Sequence, residues 1–169
     1  RPHDLGDTAT GQVLSYEYST DWPLEKKKRF LQWQWVHGSK RKGSTLMKQA
    51  AAREFDFVDG QVYTSRDYNI PKADIEDARK VVRELYEETQ QKLAEEGIES
   101  VTLYRGLKSD ATTPGNVESW TRSKGVAESF DGHAVREEVV DASEILMYGD
   151  TPTWQNGKFG EQHEWVRLR

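Results

Sequence analysis

The sequence predicts an α+β domain, with helices in residues 1–97 and strands in residues 98–169. Two patterns and one bulk property carry that expectation. In the first part apolar residues recur at helical spacing, as in Ile75, Ala78, Val82, Leu85 and Leu93. In the last part β-formers alternate, as in Val101-Thr102-Leu103-Tyr104. A chain of 169 residues with 35% hydrophobic content, including six Trp, seven Tyr and five Phe, is enough for one compact core.

The elements follow in order. Residues 1 to about 10 are polar and turn-rich, which reads as the edge of a linker and suggests a piece of a longer polypeptide. Thr20 or Asp21 is placed to cap a helix holding Leu24, Phe30, Leu31 and Trp35, stopped by Gly38. Ser44 is placed to cap a second, running through Leu46, Met47 and Ala50 to about Phe55. Pro71 suits the first turn of a third, which Gly97 ends. A strand follows at residues 101–107, then a strand end carrying Ser119 and Thr121 on one face. A helix capped near Ser123 points Val126, Ala127 and Phe130 inward. Residues 134–140 and 144–148 read as two more strands. Residues 150–160 hold Pro152, Asn156-Gly157 and Gly160, all turn signals. Trp165, Val166 and Leu168 make a short closing strand.

Composition removes several classes of function. There is no Cys, hence no disulfide and no thiolate metal site. His3, His37, His133 and His163 show no metal-ligand spacing, so no metal is expected. No apolar run approaches a membrane span, and no signal-peptide pattern is present. Charge is unevenly spread. Between Glu25 and Glu54 lie nine basic residues and no acidic one; the whole chain carries −5, so the rest carries −14. Phe30, Trp33 and Trp35 are interleaved with that basic window. The expectation is a solvated helix face with its aromatics turned to the core; an acidic or nucleic-acid partner is the alternative.

Three segments carry polar side chains in a pattern that suggests chemistry. Arg105 sits between Tyr104 and Gly106 at a strand end. Ser119-Trp120-Thr121 precedes a helix. Gln162 and Glu164, two apart on an extended segment, address one face together. In that order, Arg, then Ser-x-Thr, then Gln-x-Glu, residues 101–169 resemble the mono-ADP-ribosyltransferases of the Arg–Ser–Glu, toxin-like class. In that family the arginine lies in a Tyr-Arg-Gly-like strand, the serine in a Ser-Thr-Ser-like motif, and the glutamate at the end of a Glu/Gln-x-Glu motif. This chain departs from it in the bulky Trp120, in Thr121, and in Gln162 at the first position of the last motif.

The resemblance implies a fold, a co-substrate and roles. The fold would be N-terminal helices packed on a split β-sandwich within a single domain, residues 1–169, with NAD held by the β-core of residues 98–169. Breaking the nicotinamide–ribose bond of NAD leaves positive charge on the ribose, which a carboxylate beside the sugar hydroxyls favours; Glu164 takes that role. Arg105 would grip the pyrophosphate with its planar fork, with Tyr104, Gly106 and Thr121 beside the co-substrate. Ser119 would orient the Glu164 carboxylate. Gln162 would address the incoming nucleophile; by resemblance, Glu there goes with arginine acceptors and Gln with others such as asparagine. Trp154 and Phe159 would present the loop to the acceptor. The implied activity is transfer of ADP-ribose from NAD to a macromolecular acceptor, protein or RNA. Such domains serve as toxin or effector modules of larger secreted or phage-borne proteins acting in a target-cell cytoplasm, sometimes with a cognate immunity protein. Hydrolysis of NAD by water, modification of RNA or DNA, and an inactive binding module stay open as alternatives.

Overall fold

The computed structural model describes residues 16–38, 41–56, 69–107, 117–131, 134–149 and 164–169. Gln162, Trp154, Phe159 and His133 lie outside the described residues. The chain is α+β. Helices α1 (Leu24–His37), α2 (Lys42–Glu54) and α3 (Lys72–Glu95) precede strand β1 (Ser100–Leu107). Then come β2 (Val117–Thr121), α4 (Lys124–Asp131), β3 (Ala134–Asp141), a 3-10 turn (Ala142–Glu144), β4 (Ile145–Tyr148) and β5 (Glu164–Leu168). By contacts the chain divides into two units, the first reaching Arg83 within α3 and the second taking up α3 from Glu84.

The first unit is built around rings. Phe30 of α1 has Tyr16, Tyr18 and Trp22 about it, with centroids 6.1, 5.8 and 5.5 Å away. Such tilted and edge-on pairs add to burial, because ring edges are positive and ring faces negative. The segment before α1 is tied to α3 by two phenols. Tyr16 donates to Asp74 at 2.8 Å and Tyr18 to Asp77 at 2.5 Å. Both phenols are held well above their ordinary range, first by burial and then by the carboxylates they face.

Helix α1 starts later than its polar residues suggest. Its N-cap is Pro23, and no side chain caps it; Thr20 and Asp21 stand in the turn before. Proline at that point presets φ and has no N–H to satisfy. Helix α2 likewise starts at Lys42 with Arg41 as cap. Ser44 lies inside its first turn, where its hydroxyl donates to the Gly38 carbonyl at 2.8 Å.

The basic window is not a solvated face throughout. Lys27 and Lys28 are buried. Lys27 pairs with Asp77 at 2.9 Å and Lys28 with Glu25 at 2.8 Å. Lys26, Lys42 and Lys48 lie over the rings of Trp22, Tyr16 and Trp35. The aromatics divide too: Phe30 and Trp35 are buried, while Trp33 is partly exposed.

Helices α1 and α2 approach each other at Gly43. Its N–H donates to Gln34 Oε1 at 3.2 Å, and Gln34 is 1% exposed. A Cβ at Gly43 would stand 2.3 Å from Gln34 Cγ. Gly43→Ala is therefore expected to destabilise the protein. Overpacking costs about 1–3 kcal/mol, which outweighs the gain of about 1 kcal/mol from replacing glycine in a helix. Urea unfolding checks it, and a variant as stable as the wild type would deny the close approach.

The second unit is a sheet under the later turns of α3. Its five strands run in the order β3-β1-β2-β5-β4, and every neighbouring pair is antiparallel. One face buries Leu93 of α3 with Val101, Leu103, Trp120, Val140, Ile145, Tyr148 and Trp165. Gln90 ties the helix down by donating to the carbonyls of Ala142 and Ile145 at 2.9 and 3.0 Å. Gly97, at φ 72°, ends the helix, and the Ile98 N–H returns to the Leu93 carbonyl at 2.9 Å. Ladders differ in extent. β1 pairs with β3 over eight residues and β2 with β5 over five. Between β1 and β2, among the described residues, the registered pair is Tyr104↔Thr121 alone.

Candidate active site

The register of β2 against β5 decides which side chains meet. Trp120 lies opposite Trp165, and both turn into the core. Side chains alternate along a strand, so Ser119, Thr121 and Glu164 take the other face. Thr121 lies directly opposite Glu164, and Ser119 is diagonal to it. A glutamate is long enough to span that diagonal. The Ser119 hydroxyl donates to Glu164 Oε1 at 2.5 Å, across 45 residues of chain. That contact is short and charge-assisted. It leaves Oε2 of Glu164 as the oxygen this hydroxyl does not engage, on a side chain that is partly exposed.

Thr121 has a second task. Its hydroxyl accepts from the Ser123 N–H at 3.0 Å, and the Ser123 hydroxyl accepts from the Val126 N–H at 3.2 Å. Together they turn the chain from β2 into α4 and satisfy the first turn of that helix. Tyr104, opposite Thr121, shares the face of Thr121 and Glu164. Its phenol is held above the ordinary range by burial, then by the charge and hydrogen bond of Glu137, its partner on β3. It remains a neutral donor at any physiological pH.

Arg105 comes to the same place from the other side. Alternation puts it on the face of Leu103 and Trp120, and its guanidinium crosses to β2 next to the Tyr104↔Thr121 pair. Nη1 donates to the Ser119 carbonyl at 2.6 Å, and Nε lies 3.4 Å from Glu118 Oε2. Ser119 is thus held through its backbone by Arg105 while its hydroxyl holds Glu164. The structure brings Ser119, Thr121, Tyr104 and Glu164 to one face at the end of β2, while the Arg105 guanidinium lies on the other face, against the Ser119 carbonyl and Glu118. Gly106 follows in β1, opposite Val135 of β3.

Sequence reasoning missed the charges beneath. Glu118 is buried, and Arg105 and Arg169 stand on either side of it at 3.4 and 3.5 Å. Arg167 and Arg169 both reach Glu138, at 3.1 and 2.8 Å, and Arg167 reaches Glu144 at 3.1 Å. Burial works against the charge of Glu138, but these two arginines outweigh it and hold its carboxyl below the usual range. Three arginines thus balance three glutamates. The signal was available: Glu118 shares strand parity with Trp120, and Arg167 and Arg169 share it with Trp165, so each occupies an inward position. Among the described residues no group of three His, Asp or Glu is gathered as for a metal, and no helix is long and apolar enough to cross a membrane.

Ser119→Ala isolates the contact between hydroxyl and carboxylate. Folding should change by only about 1 kcal/mol, since a single hydrogen bond is worth little net. If Glu164 is catalytic, loss of an orienting partner should lower turnover about 10- to 100-fold. Unaltered turnover would mean that the 2.5 Å contact does not orient a working carboxylate.

Comparison with protein-family models, with curated proteins and with solved structures finds no match to this chain.

Proposed function

We propose that this domain is an NAD-dependent mono-ADP-ribosyltransferase of the Arg–Ser–Glu type, passing ADP-ribose to a macromolecular acceptor and releasing nicotinamide. The observation that carries this is the Ser119–Glu164 hydrogen bond, with Arg105 fastened to the same serine. The donor set suits the substrate. A carboxylate accepts from the ribose hydroxyls, and a phenol and a threonine hydroxyl line the same face; the guanidinium, a group that matches phosphate oxygens, stands behind them at the Ser119 carbonyl. The thin seam between β1 and β2, registered among the described residues at Tyr104↔Thr121 alone, supports a β-core in two parts.

In this reading the bond from ribose C1′ to the nicotinamide nitrogen breaks. The bonding pair stays on that nitrogen, and the positively charged pyridinium leaves as neutral nicotinamide. Positive charge develops on the ribose and is favoured by Glu164, which Ser119 keeps in place. A nucleophile on the acceptor forms the new bond to C1′ and gives up its proton.

The test uses NAD labelled on its adenosine half, incubated with cell lysate and either wild type or Glu164→Gln, then treated with protease or RNase. Label on a macromolecule, lost in the variant, is the expected result, and the digest that releases it names the acceptor as protein or RNA. Label found only in free ADP-ribose would replace the transferase with an NAD glycohydrolase. NAD left intact by the wild type would sink the proposal.

A further inference from the structure

From Lys26 on, helix α1 keeps one strip partly open to solvent: Lys26, Arg29, Trp33, Val36 and His37; the exposed Glu25 just before it is paired with Lys28. At about 100° of rotation per residue these five fall within a single arc of about 100°. The remaining positions from Lys27 to Trp35 are buried. The strip runs about 16 Å along the helix and contains no acidic residue. Two aromatic groups are set into it. Lys26 Nζ stands 4.3 Å over the ring of Trp22 at one end. Trp33 stacks on His37 toward the other, with centroids 4.9 Å apart and planes 21° from parallel. The strip is continued by Arg41, whose side chain lies against Gly38, just past His37. Arg29, between the aromatic pairs, has no ion-pair partner among the described residues.

We infer that this strip is a binding surface for single-stranded RNA. Cations alone would take any polyanion. Cations alternating with ring faces suit a strand whose phosphates meet Lys26, Arg29 and Arg41 while a base stacks on the Trp33–His37 pair. A peptide whose side chains are carboxylates alone offers no aromatic ring to stack on that platform. RNA is favoured because its loops and ends offer unstacked bases, whereas a duplex hides its base faces. This inference does not depend on the NAD chemistry proposed above, because binding is read without NAD.

The full chain is titrated with fluorescent oligouridylate, read by anisotropy at low and at physiological salt. Saturable binding that weakens as salt rises is expected. Arg29→Glu should weaken it about tenfold or more, and Trp33→Ala about tenfold, while Trp33→Phe keeps a ring and most of the affinity. If Trp33→Ala fails to fold, Arg29→Glu and Trp33→Phe carry the test, since Arg29 has no ion-pair partner among the described residues whose loss would unfold the helix. Absence of binding at low salt would overturn the inference. So would duplex RNA or polyglutamate competing as well as oligouridylate, affinity indifferent to Trp33 in a folded variant, or oligothymidylate binding tenfold tighter.

Discussion

Glu164→Gln should leave a folded protein that has lost nearly all transferase turnover. Glutamine keeps the length and shape of the side chain, and its amide oxygen can still accept from the Ser119 hydroxyl, which sits 2.5 Å from Glu164 Oε1. What disappears is the negative charge where the ribose becomes positive. Preorganised electrostatic partners of this kind are worth about 2.7–4 kcal/mol in other enzymes, roughly a 100- to 1,000-fold loss of rate. The loss should fall on kcat, with NAD affinity nearly kept, because the missing interaction strengthens only in the transition state. Wild-type turnover in this variant would remove Glu164 from the chemistry, and the proposed function with it. Loss of folding would instead show that the carboxylate is structural, a result distinguishable by circular dichroism.

The second large effect is on stability. Trp165 is 2% exposed, faces Trp120 across β2 and β5, and stacks on Tyr148 with centroids 4.4 Å apart at 17°. The Arg122 guanidinium also lies over this ring, 5.7 Å from the indole centroid. Trp165→Ala removes the indole that both contact and opens a cavity next to the strand residue that carries the candidate carboxylate. The expected cost is about 3–5 kcal/mol, a large share of the roughly 5–15 kcal/mol that holds a domain together. Urea unfolding should show a midpoint far below wild type with little change of slope. A loss below about 0.5 kcal/mol, the ordinary surface range, would mean that the core does not rest on this indole.

Most elements were legible in the sequence because their signals are local. The spacing of Ile75, Ala78, Val82 and Leu85 is that of α3, which the structure places at Lys72–Glu95. The alternation from Val101 to Leu107 is β1. Helix starts were less so: α1 begins behind Pro23 and α2 behind Arg41, neither capped by a side chain, so a search for Ser, Thr or Asp finds neighbouring residues instead. The burial of Lys27 and Lys28 was hidden for a different reason. Their carboxylate partners, Asp77 and Glu25, matter only once helix packing is known, and composition alone treats lysine as a surface residue. The exposure of Trp33 was obscured in the same way.

At the candidate site, residue types were readable and their sides were not. Ser119 and Glu164 stand out by motif, and strand parity then puts Thr121 with them. The approach of Arg105 through the carbonyl of Ser119 depends on how β1 meets β2, a long-range pairing that no short window contains. The ionic layer of Glu118, Arg167 and Arg169 was visible as charges at inward positions, yet it becomes meaningful only when three strands are laid side by side.

Among the described residues β1 and β2 register at a single pair, and this has a dynamic consequence. A sheet opens most cheaply where the fewest backbone bonds must break, and stability is not uniform across a fold. Here the weak line runs between a two-stranded piece, β3-β1, and a three-stranded piece, β2-β5-β4. The fastening beside that line is a side chain, the Arg105 guanidinium on Ser119, in place of a ladder of amides. Opening along that line leaves the ladders inside each piece intact and works against the apolar cluster that Val101, Leu103 and Val140 share with Trp120 and Trp165. The line ends at the serine that holds Glu164, whose carboxylate stays with the three-stranded side.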